Sequence, residues 1–230
     1  MCQLINGIRR FQREVFVPQR KFFQELAQGQ QPSAMVITCS DARIDPALLM
    51  QTRPGELFVA RNVGNVVPVY DRLRPDAIAA AVEFAVVGLQ VQQIIVLGHS
   101  QCGAATTYLD DRTGPRFPIM RRWLRHMKPL RNADLPPAHE TAGERLDAFI
   151  RHNAIVQRDH LLSHPAVLDA VSRRGLELHA WVYELQSGRV LAHDAALDEY
   201  VALGERSTHD VPSGDTCAAQ AGASDESWWS

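Results

Sequence analysis

The sequence has 230 residues, with 24 Lys and Arg against 26 Asp and Glu, and 46% of it is apolar. That length suits one sizeable domain that buries roughly 70% of its unfolded surface. A formal charge of −2, with no long basic run, gives a polyanion no reason to bind, so nucleic acid is not expected as a partner.

Residues 1–28 place Leu4, Ile8, Phe11, Phe22, Phe23 and Leu26 at helical spacing, interrupted by Pro18, and predict two amphipathic helices. Ala34–Cys39 is a short apolar run after Pro32 and predicts a buried strand. Leu57–Arg61, introduced by the turn pair Pro54-Gly55, predicts a second. Asp76 caps a predicted helix that runs to Leu89 and is apolar all round, so burial on several sides is expected. Ile94–Leu97 predicts a third strand, with a helix starting near Gln101. The proline-rich stretch 111–140 leaves room for one helix between Ile119 and Arg131, and a longer one follows over 142–163. Its basic residues Arg121, Arg122, Arg125, Lys128 and Arg131 are helix-spaced and read as a solvated face. Leu176–Leu185 alternates by two as a half-buried strand, and Ser187-Gly188 turns it into a partner strand at 189–193. A polar tail over 207–230 is expected to be disordered.

Strands alternating with helices predict an α/β fold: a central, mostly parallel sheet flanked by helices, with an antiparallel edge strand at the C-terminal end. The N-terminus lacks the apolar core of a secretory signal, and no apolar run reaches the ~20 residues that cross a bilayer. A cytoplasmic protein without a membrane span is therefore expected. Four cysteines, at 2, 39, 102 and 217, make no disulfide framework, so metal binding or catalysis is the better question to ask of them. Cys2 and Cys217 lie in terminal segments and read as incidental.

His99-Ser-Gln-Cys102 puts an imidazole and a thiol three residues apart where a strand turns into a helix. Such a spacing lets both converge on one ion, and the helix N-terminus favours the thiolate. Cys39-Ser-Asp41-Ala-Arg43 closes another predicted strand. If the two strands are neighbours, Cys39, His99 and Cys102 supply two sulfurs and one nitrogen. Three ligands with a fourth position open is the pattern of a catalytic zinc site. Two thiolates neutralise a divalent ion, so bound water is acidified less than by three imidazoles. Asp41 then serves as hydrogen-bond acceptor beside the metal, held ionised by Arg43. The bland alternative for that pair is a local surface ion pair, and for Cys102 a small buried hydrophobe.

CSDAR, with GHSQCGA placing His99 60 residues after Cys39, resembles the paired signature of β-class carbonic anhydrases. The likeness extends to RPGELFVARNVGNVVP (53–68), AIAAAVEFAVVGL (77–89) and LHAWVYELQSGRVLAHD (178–194), and is nearest the plant-like and cyanobacterial carboxysomal branch. It covers about residues 1–200 and implies N-terminal dimerisation helices over 1–30 and a zinc-binding domain over 31–206. The resemblance further implies one Zn²⁺ per chain, attack of zinc-bound hydroxide on CO₂, and reversible formation of bicarbonate and a proton. It implies a homodimer or larger assembly, with the substrate pocket at the dimer interface. Carboxysome shell or scaffold proteins are further candidate partners, and the carboxysome an alternative location.

By position, Gln30 matches the family's substrate-binding glutamine and Gly103 an amide near the substrate. Phe58, Val63 and Phe84 match the apolar CO₂ pocket, although each also suits a plain core position. Phe84 replaces the tyrosine of plant relatives, and Ala180 a common glycine. One subgroup marks an allosteric bicarbonate site with tryptophan three residues before the first zinc cysteine; Val36 stands there instead. An open site is therefore expected, with Asp41 on the metal only in a closed state. Histidines 126, 139, 152, 160, 164, 179 and 193 leave the proton shuttle undecided. Alternatives on the same residues are hydrolysis of CS₂ or COS, and a non-catalytic zinc or bicarbonate-binding role.

Overall fold

The computed structural model describes residues 1–110, 116–127 and 141–204. Readings that fall on Lys128, Arg131, His139, Cys217 and the tail 207–230 lie outside the described residues.

The chain opens with helix α1 (Cys2–Arg10), continued by a π-helical turn at Phe11–Phe16, and then α2 (Arg20–Leu26). Pro18 falls in the turn between them, as its fixed φ and missing N–H require. Strand β1 (Ala34–Cys39) follows, then the one-and-a-half-turn helix α3 (Pro46–Met50), then β2 (Leu57–Asn62). Helix α4 (Ala77–Glu83) starts where the Asp76 carboxylate accepts from the amides of Ile78 and Ala79, and ends in a π turn, Phe84–Gly88. Next come β3 (Gln93–His99), α5 (Gly103–Leu109), and α6 (Pro118–Trp123) with a 3₁₀ turn to Met127. Helix α7 (Ala142–Leu161) opens with a capping box between Thr141 and Glu144. Helix α8 (Pro165–Arg174) precedes β4 (Glu177–Tyr183), β5 (Val190–Asp194) and β6 (Glu199–Ala202).

The sheet order is β2-β1-β3-β4-β5-β6, parallel through β4 and antiparallel beyond it. Every residue of β1 is buried, as expected for a parallel strand covered on both faces. Val36, Ile95, Leu97, Phe149, Ile150 and Ala154 form the core under α5 and α7. Met35, Ile37, Ile94, Val96, Val82 and Val167 form the core under α4 and α8.

The strands stand where periodicity places them, and three elements are additional. Helices α3 and α8 and strand β6 are short or lie in segments that carry no clear apolar period. The helix from Asp76 forms, but its expected burial on several sides does not: Phe84 and Val87 are 49% and 62% exposed. Ile78, Val82, Ala85 and Val86 suffice to cover the sheet, leaving the outer face open. On α1, Leu4, Ile5 and Ile8 are all exposed and no residue is buried.

Candidate metal centre

Strands β2 and β3 flank β1 on opposite sides, so connections leave β1 and β3 in opposite directions. At such a switch point the loops beyond the carboxyl ends diverge and leave a crevice. Cys39 ends β1, His99 ends β3, and Cys102 is the N-cap of α5. Their ligand atoms lie within 4.8 Å of one another, and all three residues are buried.

The ring orientation of His99 is defined. Its Nδ1 donates to the Ser100 carbonyl at 2.9 Å, and its Nε2, wholly buried, has no hydrogen-bond partner. An unpaired buried lone pair beside two thiols costs stability unless something electrophilic meets it. The donor set, two sulfurs and one nitrogen, fits a tetrahedral d¹⁰ ion with one position open. The residues present therefore fit a metal ion. Cys39 is drawn down to about 4, mainly because the Cys102 thiol donates to it, with the Gly64 amide contributing. The same hydrogen bond pushes Cys102 up, so the pair shares one proton. An ion would displace that proton and take both as thiolates.

Asp41 and Arg43 stand at the rim. Arg43 Nε donates to Asp41 Oδ1 at 2.9 Å and its Nη2 to Oδ2 at 2.7 Å, a two-pronged contact. That guanidinium holds the Asp41 carboxyl well below the ordinary carboxylate range. Asp41 Oδ2 is 3.9 Å from His99 Nε2, at the edge of the cluster and turned toward Arg43. Arg43 also donates to the Gln101 carbonyl at 3.2 Å, tying the loop after β1 to the loop after β3.

Two neighbours carry no functional reading in the sequence. Arg61 donates to the carbonyls of Cys39 (3.0 Å), Asp41 (2.7 Å) and Ile44 (2.8 Å), latching the loop that carries the dyad. The signal available was a lone cation inside the apolar strand LFVARN. Trp123 donates from Nε1 to the Val63 carbonyl at 2.9 Å and lines an apolar cavity of about 730 Å³. Ser40, Asn62 and Val63 form that cavity's inner wall next to Cys39.

The five substrate-pocket residues divide. Val63 and Gly103 border the centre; Gly103 opens α5 with nothing within 4 Å of where a side chain would stand. Gln30 is exposed in the loop before β1. Phe58 faces the second core, its ring 5.8 Å from that of Phe84. It lies opposite Met35, four residues before the Asn62 that pairs with Cys39, or roughly 13 Å along the strand. One chain thus brings together the three ligands, Asp41 and Arg43, but leaves Gln30, Phe58 and Phe84 apart from them.

The fold and the site define a class: an α/β protein with a two-thiol, one-imidazole centre at the switch point of a parallel sheet, edged by an ion-paired carboxylate. A family model described as carbonic anhydrase matches residues 34–190. A carbonic anhydrase from Pseudomonas aeruginosa is 42% identical over 205 residues, covering 89% of this chain and 93% of its own length. The solved structure of the β-carbonic anhydrase CcaA superposes with a TM-score of 0.83 at 36% identity, covering 88% of this chain and 98% of that one. A second structural relative, a β-carbonic anhydrase of Sordaria macrospora described as tetrameric, gives 0.60 at 27% identity and covers 83% and 91%. The chain belongs to the carbonic anhydrase family, in its β class.

Proposed function

We propose that this chain hydrates CO₂ reversibly to bicarbonate and a proton, using one Zn²⁺ per chain held by Cys39, His99 and Cys102. The observation that carries the reading is the buried, unpartnered Nε2 of His99 facing two thiols beside an ionised carboxylate.

Zinc, when bound, supplies a Lewis acid that makes a water nucleophilic near neutral pH. The chain's own residues do the rest. Cys39 keeps its charge toward the metal because the Gly64 amide donates to its Sγ at 3.4 Å. Asp41 Oδ2, at the edge of the cluster, would accept a hydrogen bond from that water and so orient it toward CO₂. Arg43 fixes the carboxylate so that it stays an acceptor throughout. With its carboxylate engaged by Arg43, Asp41 would be kept off a metal held by Cys39, His99 and Cys102, leaving room there for water.

Val63 offers an apolar wall to CO₂, and the Gly103 amide an anchor for the product oxygen. Gln30, Phe58 and Phe84 complete the pocket in a homodimer, across an interface that includes the N-terminal helices. The exposed apolar residues Leu4, Ile8, Phe11 and Phe84 support this assignment.

Metal analysis paired with stopped-flow CO₂ hydration on the reduced protein tests the reading. One zinc per chain and hydration well above background are expected, and Cys39→Ser or Cys102→Ser should abolish both. A zinc-loaded protein that hydrates CO₂ only at background while turning over CS₂ would overturn the choice of substrate. One inert toward both would overturn catalysis.

A further inference from the structure

The last paired residues of β3 and β4 are His99 and Tyr183, and the Ser100 amide carries the ladder one step further by donating to the Tyr183 carbonyl at 2.9 Å. In a parallel ladder, a residue that donates to one partner carbonyl accepts at its own carbonyl from the amide two residues on in that partner. The amide of Leu185 should therefore reach the carbonyl of Ser100. It donates instead to the Ser100 hydroxyl oxygen, at 2.9 Å. The released carbonyl turns to its own preceding side chain and accepts from His99 Nδ1 at 2.9 Å.

We propose that Ser100 is a positioning residue for His99: its hydroxyl replaces its carbonyl in the sheet ladder, freeing that carbonyl to fix the imidazole tautomer. A carbonyl oxygen only accepts, so the ring proton must sit on Nδ1. The lone pair then sits on Nε2, the atom that faces Cys39 and Cys102. Leu185 presents its amide from a fixed place. Glu184, beside it, donates its N–H to the Arg189 carbonyl at 2.8 Å and accepts at its carboxylate from Ser187 (2.8 Å) and Arg189 (3.0 Å). The β4–β5 turn thus reaches the metal centre through one hydroxyl.

Without that hydroxyl, the Leu185 amide competes for the Ser100 carbonyl, and Nδ1 loses its acceptor. The inference rests on reading the cluster as a metal centre. Its test uses the full chain as wild type, Ser100→Ala and Ser100→Thr, with two readouts. Chelator competition should show zinc held roughly 10- to 100-fold less tightly in Ser100→Ala, the usual cost of losing a ligand's supporting hydrogen bond, and restored in Ser100→Thr. Imidazole ¹⁵N spectra of the zinc-free chain should show His99 protonated at Nδ1 in wild type and Ser100→Thr, and a tautomer mixture in Ser100→Ala. Wild-type zinc affinity and an unchanged Nδ1 signature in Ser100→Ala would overturn the proposal, as would failure of Ser100→Thr to restore either. If the wild type itself takes no zinc, the metal-centre reading fails separately, and the ¹⁵N spectra still decide whether Ser100 sets the tautomer.

Discussion

The backbone amide of Gly64 donates to the Sγ of Cys39 at 3.4 Å, so a glycine after one strand supports the charge of a sulfur at the end of its neighbour. Gly64 adopts φ +85, and a Cβ there would meet the Met127 methyl and stand 3.0 Å from Ala104 Cβ. Met127 and Ala104 are both buried and have little room to give.

Gly64→Ala should therefore destabilise the fold by about 1–3 kcal/mol, combining left-handed strain with overpacking. It should also loosen zinc, because the amide moves off Cys39. Thermal unfolding and chelator competition measure the two effects. An alanine variant that unfolds and releases zinc as wild type does would show that the close approach is not required.

The Asp41–Arg43 contact carries a prediction with a definite sign. The carboxyl is depressed by Arg43, so its stabilisation is fully present above the unfolded value near 3.9 and is lost as pH falls toward the lower folded value. Arg43→Ala should thus be less stable than wild type at neutral pH, and the gap should close as the pH falls below about 3. Urea midpoints with chelator present, at the two pH values, measure it. A gap of constant size would place the cost of the substitution elsewhere. Asp41→Asn keeps the shape, so it should retain zinc while hydration falls by about 100-fold or more.

Helix α1 exposes Leu4, Ile5 and Ile8, and the turn after it exposes Phe11 and Phe16. A helix that buries nothing against its own chain gains no tertiary stability to offset its ordering. Deleting residues 1–16 should lower the mass in sedimentation from that of an assembly to that of a single chain, with loss of hydration because Gln30, Phe58 and Phe84 no longer reach a partner's centre. An unchanged mass would show that these helices are not what joins the copies.

Much of the centre is legible in the sequence because its parts are local. The strand Ala34–Cys39 announces itself by an unbroken apolar run, and Cys39 falls at its end as the run stops. His99 and Cys102 share one strand-to-helix turn, and Asp41 with Arg43 one short loop. The helix from Asp76 shows the limit of such reading. Its apolar content is visible, but which side of it meets a neighbour is not, and Phe84 proves half-exposed. Helix α8 and strand β6 escape because short, mixed segments take their structure from what they pack against.

The amino-acid sequence by itself determines the ligand set: two thiols and an imidazole at strand ends, with an acid and a base two residues apart, are facts of residue type and spacing. Tertiary structure decides that they form one centre. Cys39 meets His99, 60 residues later, because β1 and β3 pair directly while β2 is sent to the other side. It also decides that Arg61 latches the dyad loop, that Ser100 gives its hydroxyl to the ladder and its carbonyl to His99, and that Phe58 and Phe84 stand away from the metal in a single chain. The physical reason is the same throughout. Propensity and periodicity act over a few residues, whereas sheet order and ladder register follow from burying both faces of the sheet at once.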